Sequence, residues 1–108
     1  DPEPEQIKAS AKAGADFIEL HTGQYALAPM EYQLRELQRL KEAMSRGISE
    51  GLVVNAGHGL NVRNLVPVVS LPGLNEVNIG HSIISRALFI GLQEAVTEIL
   101  DILETYSD

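Results

Sequence analysis

Cysteine and tryptophan are both absent from the 108 residues. Without thiols the chain can form neither a disulfide nor a cysteine-based metal site. Positive charge is scarce, since eight Lys and Arg stand against 15 Asp and Glu, for a formal net charge of −7. Binding a nucleic-acid backbone takes concentrated positive charge, so that class of partner is excluded. Long apolar runs are missing too. No window approaches the roughly 18 consecutive apolar residues of a membrane span. No basic-then-apolar leader opens the chain, which sets the cytoplasm as the expected compartment. What remains is an ordinary globular composition, 44% hydrophobic and 21% charged. It is too apolar for wholesale disorder and short enough that one compact domain is the ceiling.

Punctuation and period give the order of elements. The opening Asp1-Pro2-Glu3-Pro4-Glu5 suits a helix start, with Asp1 as cap, prolines in the first turn and carboxylates at the positive end. Ile7 to Ala13 continues that helix and Gly14 stops it. Ala15 to Leu20 reads as a short strand entering His21-Thr22-Gly23. A long helix begins near Pro29 or Met30, with Leu34, Leu37, Leu40, Met44 and Ile48 on one stripe and Gly47 interrupting its later part. Gly51 precedes a second strand, Leu52 to Ala56, which ends in Gly57-His58-Gly59. A short helix is expected between Asn61 and Leu71, capped by Asn61 or Asn64; Pro67 is acceptable in the first turn of a helix started by Asn64. Pro72-Gly73 is a break. A third strand, Glu76 to Ile79, ends at Gly80-His81. Ser82 is the expected cap of the last helix, with Ile84, Ala87, Leu88, Leu92, Ala95, Ile99 and Leu103 on its apolar face. Glu94, Glu98, Asp101 and Glu104 suit its solvent side.

A helix followed by three strand–helix units indicates an α/β fold with a parallel sheet. Val54-Asn55-Ala56-Gly57-His58-Gly59 returns as Val77-Asn78-Ile79-Gly80-His81-Ser82, 23 residues later, as adjacent staves of a barrel would. Three strands alone leave two open edges and an uncovered face, and a complete β/α barrel takes roughly 250 residues. Residues 1–108 are therefore expected to be part of a barrel domain, the alternative being a small open sandwich.

All three histidines fall at the C-terminal ends of strands, the reactive face of β/α enzymes. A lone histidine there is more often a hydrogen-bonded structural residue. His58 and His81, however, sit in matching Asn-x-Gly-His units, which favours function for both, while His21 stands balanced between the two readings. Glu19 shares a strand face with Phe17 and His21, and Ile18 and Leu20 point the other way. If the latter meet the helices, Glu19 points into the barrel, where a carboxylate must be paired or used. It then either forms a buried salt bridge, or transfers protons or holds a polar substrate group. Asn55 and Asn78 can tie strand ends together or bind a ligand, with the structural role favoured for Asn78. Gly57-His58-Gly59 and Gly80-His81-Ser82 let backbone N–H groups converge on an anion, the latter at a helix start, so a phosphate is the expected ligand group. A metal held by the histidines and Glu19 has no His-x-His or His-x-x-x-His spacing behind it, and none is expected. At this level an isomerase- or aldolase-like phosphosugar barrel and a non-enzymatic phosphate-binding module both stay open.

Three segments taken together are more specific. Phe17-Ile-Glu-Leu-His-Thr-Gly-Gln-Tyr-Ala26, Val54-Asn-Ala-Gly-His-Gly-Leu-Asn61 and Glu76-Val-Asn-Ile-Gly-His-Ser-Ile-Ile84, with Arg86-Ala87-Leu88 after them, closely resemble the pyridoxine 5'-phosphate synthase family. The resemblance runs in order over essentially the whole chain and matches only the C-terminal portion of the family's. It implies the sixth, seventh and eighth strands of a (β/α)8 TIM barrel in a cytoplasmic homo-oligomer, typically an octamer. The implied reaction condenses 1-deoxy-D-xylulose 5-phosphate with 3-amino-2-oxopropyl phosphate to pyridoxine 5'-phosphate, phosphate and water, with no redox cofactor and no essential metal. By the same resemblance His58 is the catalytic histidine and Glu19 a barrel glutamate beside the reacting groups. Gly59, Gly80 and His81 contact the amino-oxopropyl phosphate, and Thr22 lines the same site. The family's first-strand residues, its loop with a histidine base and an arginine, and its third-strand glutamate have no counterpart here. The remaining barrel segment is thus an implied partner, and the isolated chain is expected to lack appreciable activity.

Overall fold

The computed structural model describes residues 3–107; the Asp1 cap expected for the first helix lies outside them. The elements run α1 (Pro4–Lys12), β1 (Phe17–His21), α2 (Gly23–Leu27), α3 (Met30–Ser49), β2 (Val53–Gly57), α4 (Leu65–Val69), β3 (Glu76–Asn78), α5 (His81–Ile90) and α6 (Leu92–Tyr106). The three strands form one parallel sheet in the order β1-β2-β3, the expected α/β arrangement with flanking helices. Each strand lies within two residues of its expected bounds, and β3 starts at Glu76 as expected. The sequence around Gly57, for instance, stays extended through the glycine because Thr22 N–H donates to the Gly57 carbonyl at 2.9 Å.

One face of the sheet is packed and the other is open. Leu20, Val54 and Ala56 are buried beneath Leu40, Ala43 and Met44 of α3 and Leu65, Val68 and Val69 of α4, with Ala95 and Ile99 of α6 also buried. Alternation then puts Phe17, Glu19 and His21 on the opposite, exposed face, as expected from their spacing. Gly47 does not interrupt α3, which runs to Ser49. A Cβ at Gly47 would stand 2.8 Å from Val54 and 3.1 Å from Ile18, so the glycine lets the helix lie close on the sheet. The same helix is longer than the strands it packs on. Twenty residues at about 1.5 Å each span ~30 Å, whereas a five-residue strand spans ~17 Å. Leu34 (78% exposed), near its start, and Ile48, half-exposed beside Gly73, leave the stripe expected to be buried.

Four further expectations are corrected. The loop after β1 contains a helix, α2, too short to show a period. The helix expected between Asn61 and Leu71 is only α4, because Asn61 spends its side chain on a turn, accepting from Arg63 N–H at 2.8 Å and Asn64 N–H at 3.2 Å. The single last helix is two, broken at Gly91 (φ 87°). The break turns Ile84, Leu88 and Leu92 outward, and all three are exposed rather than core. Ser82 does not cap α5. Its hydroxyl donates instead to the Leu60 carbonyl at 2.7 Å. No helix among the described residues is long and apolar enough to cross a membrane.

Candidate functional site

Parallel pairing aligns the strands so that side chains on the open face form rows. Glu19 lies level with Asn55 and Asn55 with Glu76; at the strand ends His21 lies level with Gly57 and Gly57 with Asn78. Phe17 and Val53 form the row below. The face thus grades from apolar at its base to polar at the C-terminal ends of the strands. Gly57 is the gap in the upper row. A Cβ there would run into the Glu19 carboxylate and come within 3.0 Å of Asn78, so the missing side chain is what lets Glu19 lean across β2.

These residues open into a hollow of about 770 Å³ lined by Glu19, His21, His58, Gly59, Leu60, Asn61, Asn78, Ile79, Gly80, His81 and Ser82. Five of the six residues singled out from the sequence therefore meet in one place, drawn from β1, the β2 loop and the start of α5. Glu19 is exposed in it, and among the described residues it has no ion-pair partner. Thr22 differs from the expectation that it lines the site. Its side chain is fully buried, and its hydroxyl donates to the His58 carbonyl at 2.6 Å.

His58 has a φ of 92°, a region where a side chain crowds its own backbone and which costs roughly 1–3 kcal/mol unless the surroundings hold it. Its ring stacks on that of His21, with centroids 4.2 Å apart and 25° between the planes. The loop beyond is tied down by Asn64, whose amide donates to the Gly59 carbonyl at 3.1 Å and accepts from Asn61 N–H at 2.9 Å. Asn64's own carbonyl accepts from the Tyr25 hydroxyl at 2.7 Å. Burial of that phenol raises its pKa above the ordinary 10.0. Asn55 ties the middle of β2 to the entry of β3, its side chain accepting from Asn75 at 3.0 Å.

Across the hollow, α5 begins at His81 with Gly80 as its cap residue. The first intrahelical acceptance is by Gly80, from Ile84 N–H at 3.1 Å, which leaves the first-turn N–H groups without helical partners, the arrangement that suits an anion. A second hollow of about 380 Å³ adjoins it between α5 and α6, sharing Asn61, His81 and Ser82. Its Arg86 is held by Glu98 at 3.1 and 3.3 Å, and that hydrogen bond and charge push the guanidinium pKa up further. No group of three His, Asp or Glu side chains among the described residues is gathered to hold a metal. Sequence reasoning missed Asn61 and the gap at Gly57. Both act through loop packing that no local pattern announces.

A parallel α/β sheet with histidines, a carboxylate and unpartnered N–H groups gathered at the strand C-terminal ends defines the class, a strand-end site of the β/α type. The chain belongs to the PdxJ family of pyridoxal phosphate biosynthesis proteins, whose model matches residues 1–105. It is 56% identical over 99 residues to a pyridoxine 5'-phosphate synthase of Gloeothece citriformis, covering 91% of this chain and 41% of the relative. The corresponding figures are 54% over 99 residues for that of Synechocystis, covering 91% and 41%. For that of Geobacter metallireducens they are 49% over 105 residues, covering 96% and 44%. The chain thus spans less than half the length of these curated relatives.

Proposed function

We propose that the chain is the C-terminal portion, strands six to eight, of a (β/α)8 barrel that acts as a pyridoxine 5'-phosphate synthase. The observation that carries this is the meeting of Glu19, His58, Gly59, Gly80 and His81 around one hollow in a chain of the PdxJ family. The substrates are 1-deoxy-D-xylulose 5-phosphate and 3-amino-2-oxopropyl phosphate. Amine and ketone condense with loss of water, phosphate is eliminated, and an aldol-type closure completes the ring. Each step moves a proton, work suited to an imidazole and a carboxylate held on one face. His58 is the proton-handling imidazole and Glu19 the carboxylate beside the reacting groups. Gly59, Gly80 and His81 hold the amino-oxopropyl phosphate, the free N–H groups at the α5 start receiving its phosphate. Thr22 contributes by fixing the His58 loop. The barrel's remaining strands cover the open row of Phe17 and Val53, and the whole works as a cytoplasmic homo-oligomer, an octamer by family resemblance, without cofactor or metal.

The test is to assay product from both substrates with the 108-residue chain alone, then with the chain exchanged for the matching 99 residues of the Gloeothece citriformis relative. Product should come from the exchanged, full-length protein and not from the chain alone, and His58→Asn should reduce kcat by about 10²-fold or more. A full-length exchange that binds both substrates yet makes no product would overturn the reading.

A further inference from the structure

We infer that His21 is a positioning residue for His58, working with Thr22 and Gly23 as a clamp on the strained loop. The inference deepens the proposed catalytic reading of His58 and rests on it. His58 is the one non-glycine residue among those described with a positive φ, and such a backbone persists only where neighbours over-determine it. Thr22 supplies the backbone part. Its N–H donates to the carbonyl of Gly57 at 2.9 Å and its hydroxyl to that of His58 at 2.6 Å. The peptide units on both sides of His58 are therefore gripped by one buried residue on the neighbouring strand end.

The side chain is set by His21, whose ring lies against that of His58. His21 is itself fixed, because Gly23 N–H donates to its Nδ1 at 3.3 Å. A neutral ring accepting at Nδ1 carries its proton on Nε2. Gly23 completes the arrangement, since a Cβ there would press on the His21 ring and come within 3.1 Å of His58 Cδ2. Histidine meets both demands at position 21, a flat face for His58 and an acceptor for Gly23. An imidazole that moves protons must sit within hydrogen-bond reach of its target, and a misplacement of about 1 Å costs on the order of 10²-fold in rate.

The test uses the full-length exchange described above. His21→Ala should lower kcat by about 10- to 100-fold because it displaces His58; His21 also borders the hollow, so KM should rise, but by a smaller factor than kcat falls. His21→Phe keeps the flat face and should restore most of that loss; His21→Asn keeps an acceptor without the face and should not. Unchanged kcat in His21→Ala, or rescue by Asn and not by Phe, would overturn the inference. A separate readout needs no activity. Stacking shifts the ring-proton NMR resonances of His58, and His21→Ala should displace them while His21→Phe leaves them displaced far less. If the unsubstituted exchange makes no product, the functional reading fails by itself. The resonances then decide the positioning claim, with unmoved His58 signals in His21→Ala overturning it.

Discussion

The β1–β2 flank of the hollow stands on a continuous buried layer, with Leu20, Val54 and Ala56 under the strands and Leu40, Met44, Leu65 and Val68 pressed against them. The β3–α5 flank, three residues of strand and a ten-residue helix, contains no buried residue at all. It leans on α6, which reaches the core through Ala95 and Ile99. The site's two jobs divide along this line. The flank with deep packing carries His58 and its strained backbone, which has to be over-determined to survive. The flank with shallow packing carries Gly80, His81 and the first-turn N–H groups, which in the proposed function receive a phosphate. In the proposed barrel the missing strands close against both sheet edges, β1 on the firm flank and β3 on the shallow one.

The comparison can be broken at its base. Leu65→Ala removes a side chain with no exposed surface and should cost about 2–5 kcal/mol in denaturant unfolding. Leu88→Ala, at a position 83% exposed, should stay within about 0.5 kcal/mol. Similar losses at the two sites would mean that the flanks do not differ. A smaller effect sharpens the firm side. Tyr25 has its pKa raised by burial, so its phenol ionises more easily in the unfolded chain than in the folded one. The sign follows: its contribution is complete below pH 10 and is lost as pH climbs through the raised value. Stability should therefore fall above pH 10 in the parent, and fall less steeply in Tyr25→Phe. That variant also gives up about 1 kcal/mol at neutral pH for the lost bond to the Asn64 carbonyl. Parallel alkaline limbs in the two proteins would remove Tyr25 from the account.

Much of the site was legible because its residues announce themselves locally. Gly-His units at the ends of apolar runs mark strand ends, and alternation along Phe17-Ile18-Glu19-Leu20-His21 sorts core from site without any tertiary knowledge. What was not legible is tertiary. Thr22 reads as a ligand residue until the His58 carbonyl, 36 positions away, is found above its hydroxyl. The stack of His21 on His58 depends on the register of β1 and β2, which pairs His21 with Gly57. Helical period found the buried positions Leu40 and Met44 of α3 and Ala95 and Ile99 of α6 but none on α5, because period says nothing of what covers a face. Leu34, Leu88 and Leu92 are apolar in pattern and exposed in fact.

Native-state hydrogen exchange on the chain measures the contrast between the flanks most directly, because amides open locally according to how much packing holds them. The account predicts that the amides bonded between β1 and β2 exchange slowest, those of Leu20, Thr22, Asn55 and Gly57 among them. Those in the body of α5, from Ser85 to Ile90, should exchange at least about tenfold faster. Protection in α5 equal to that of the central strands would contradict it.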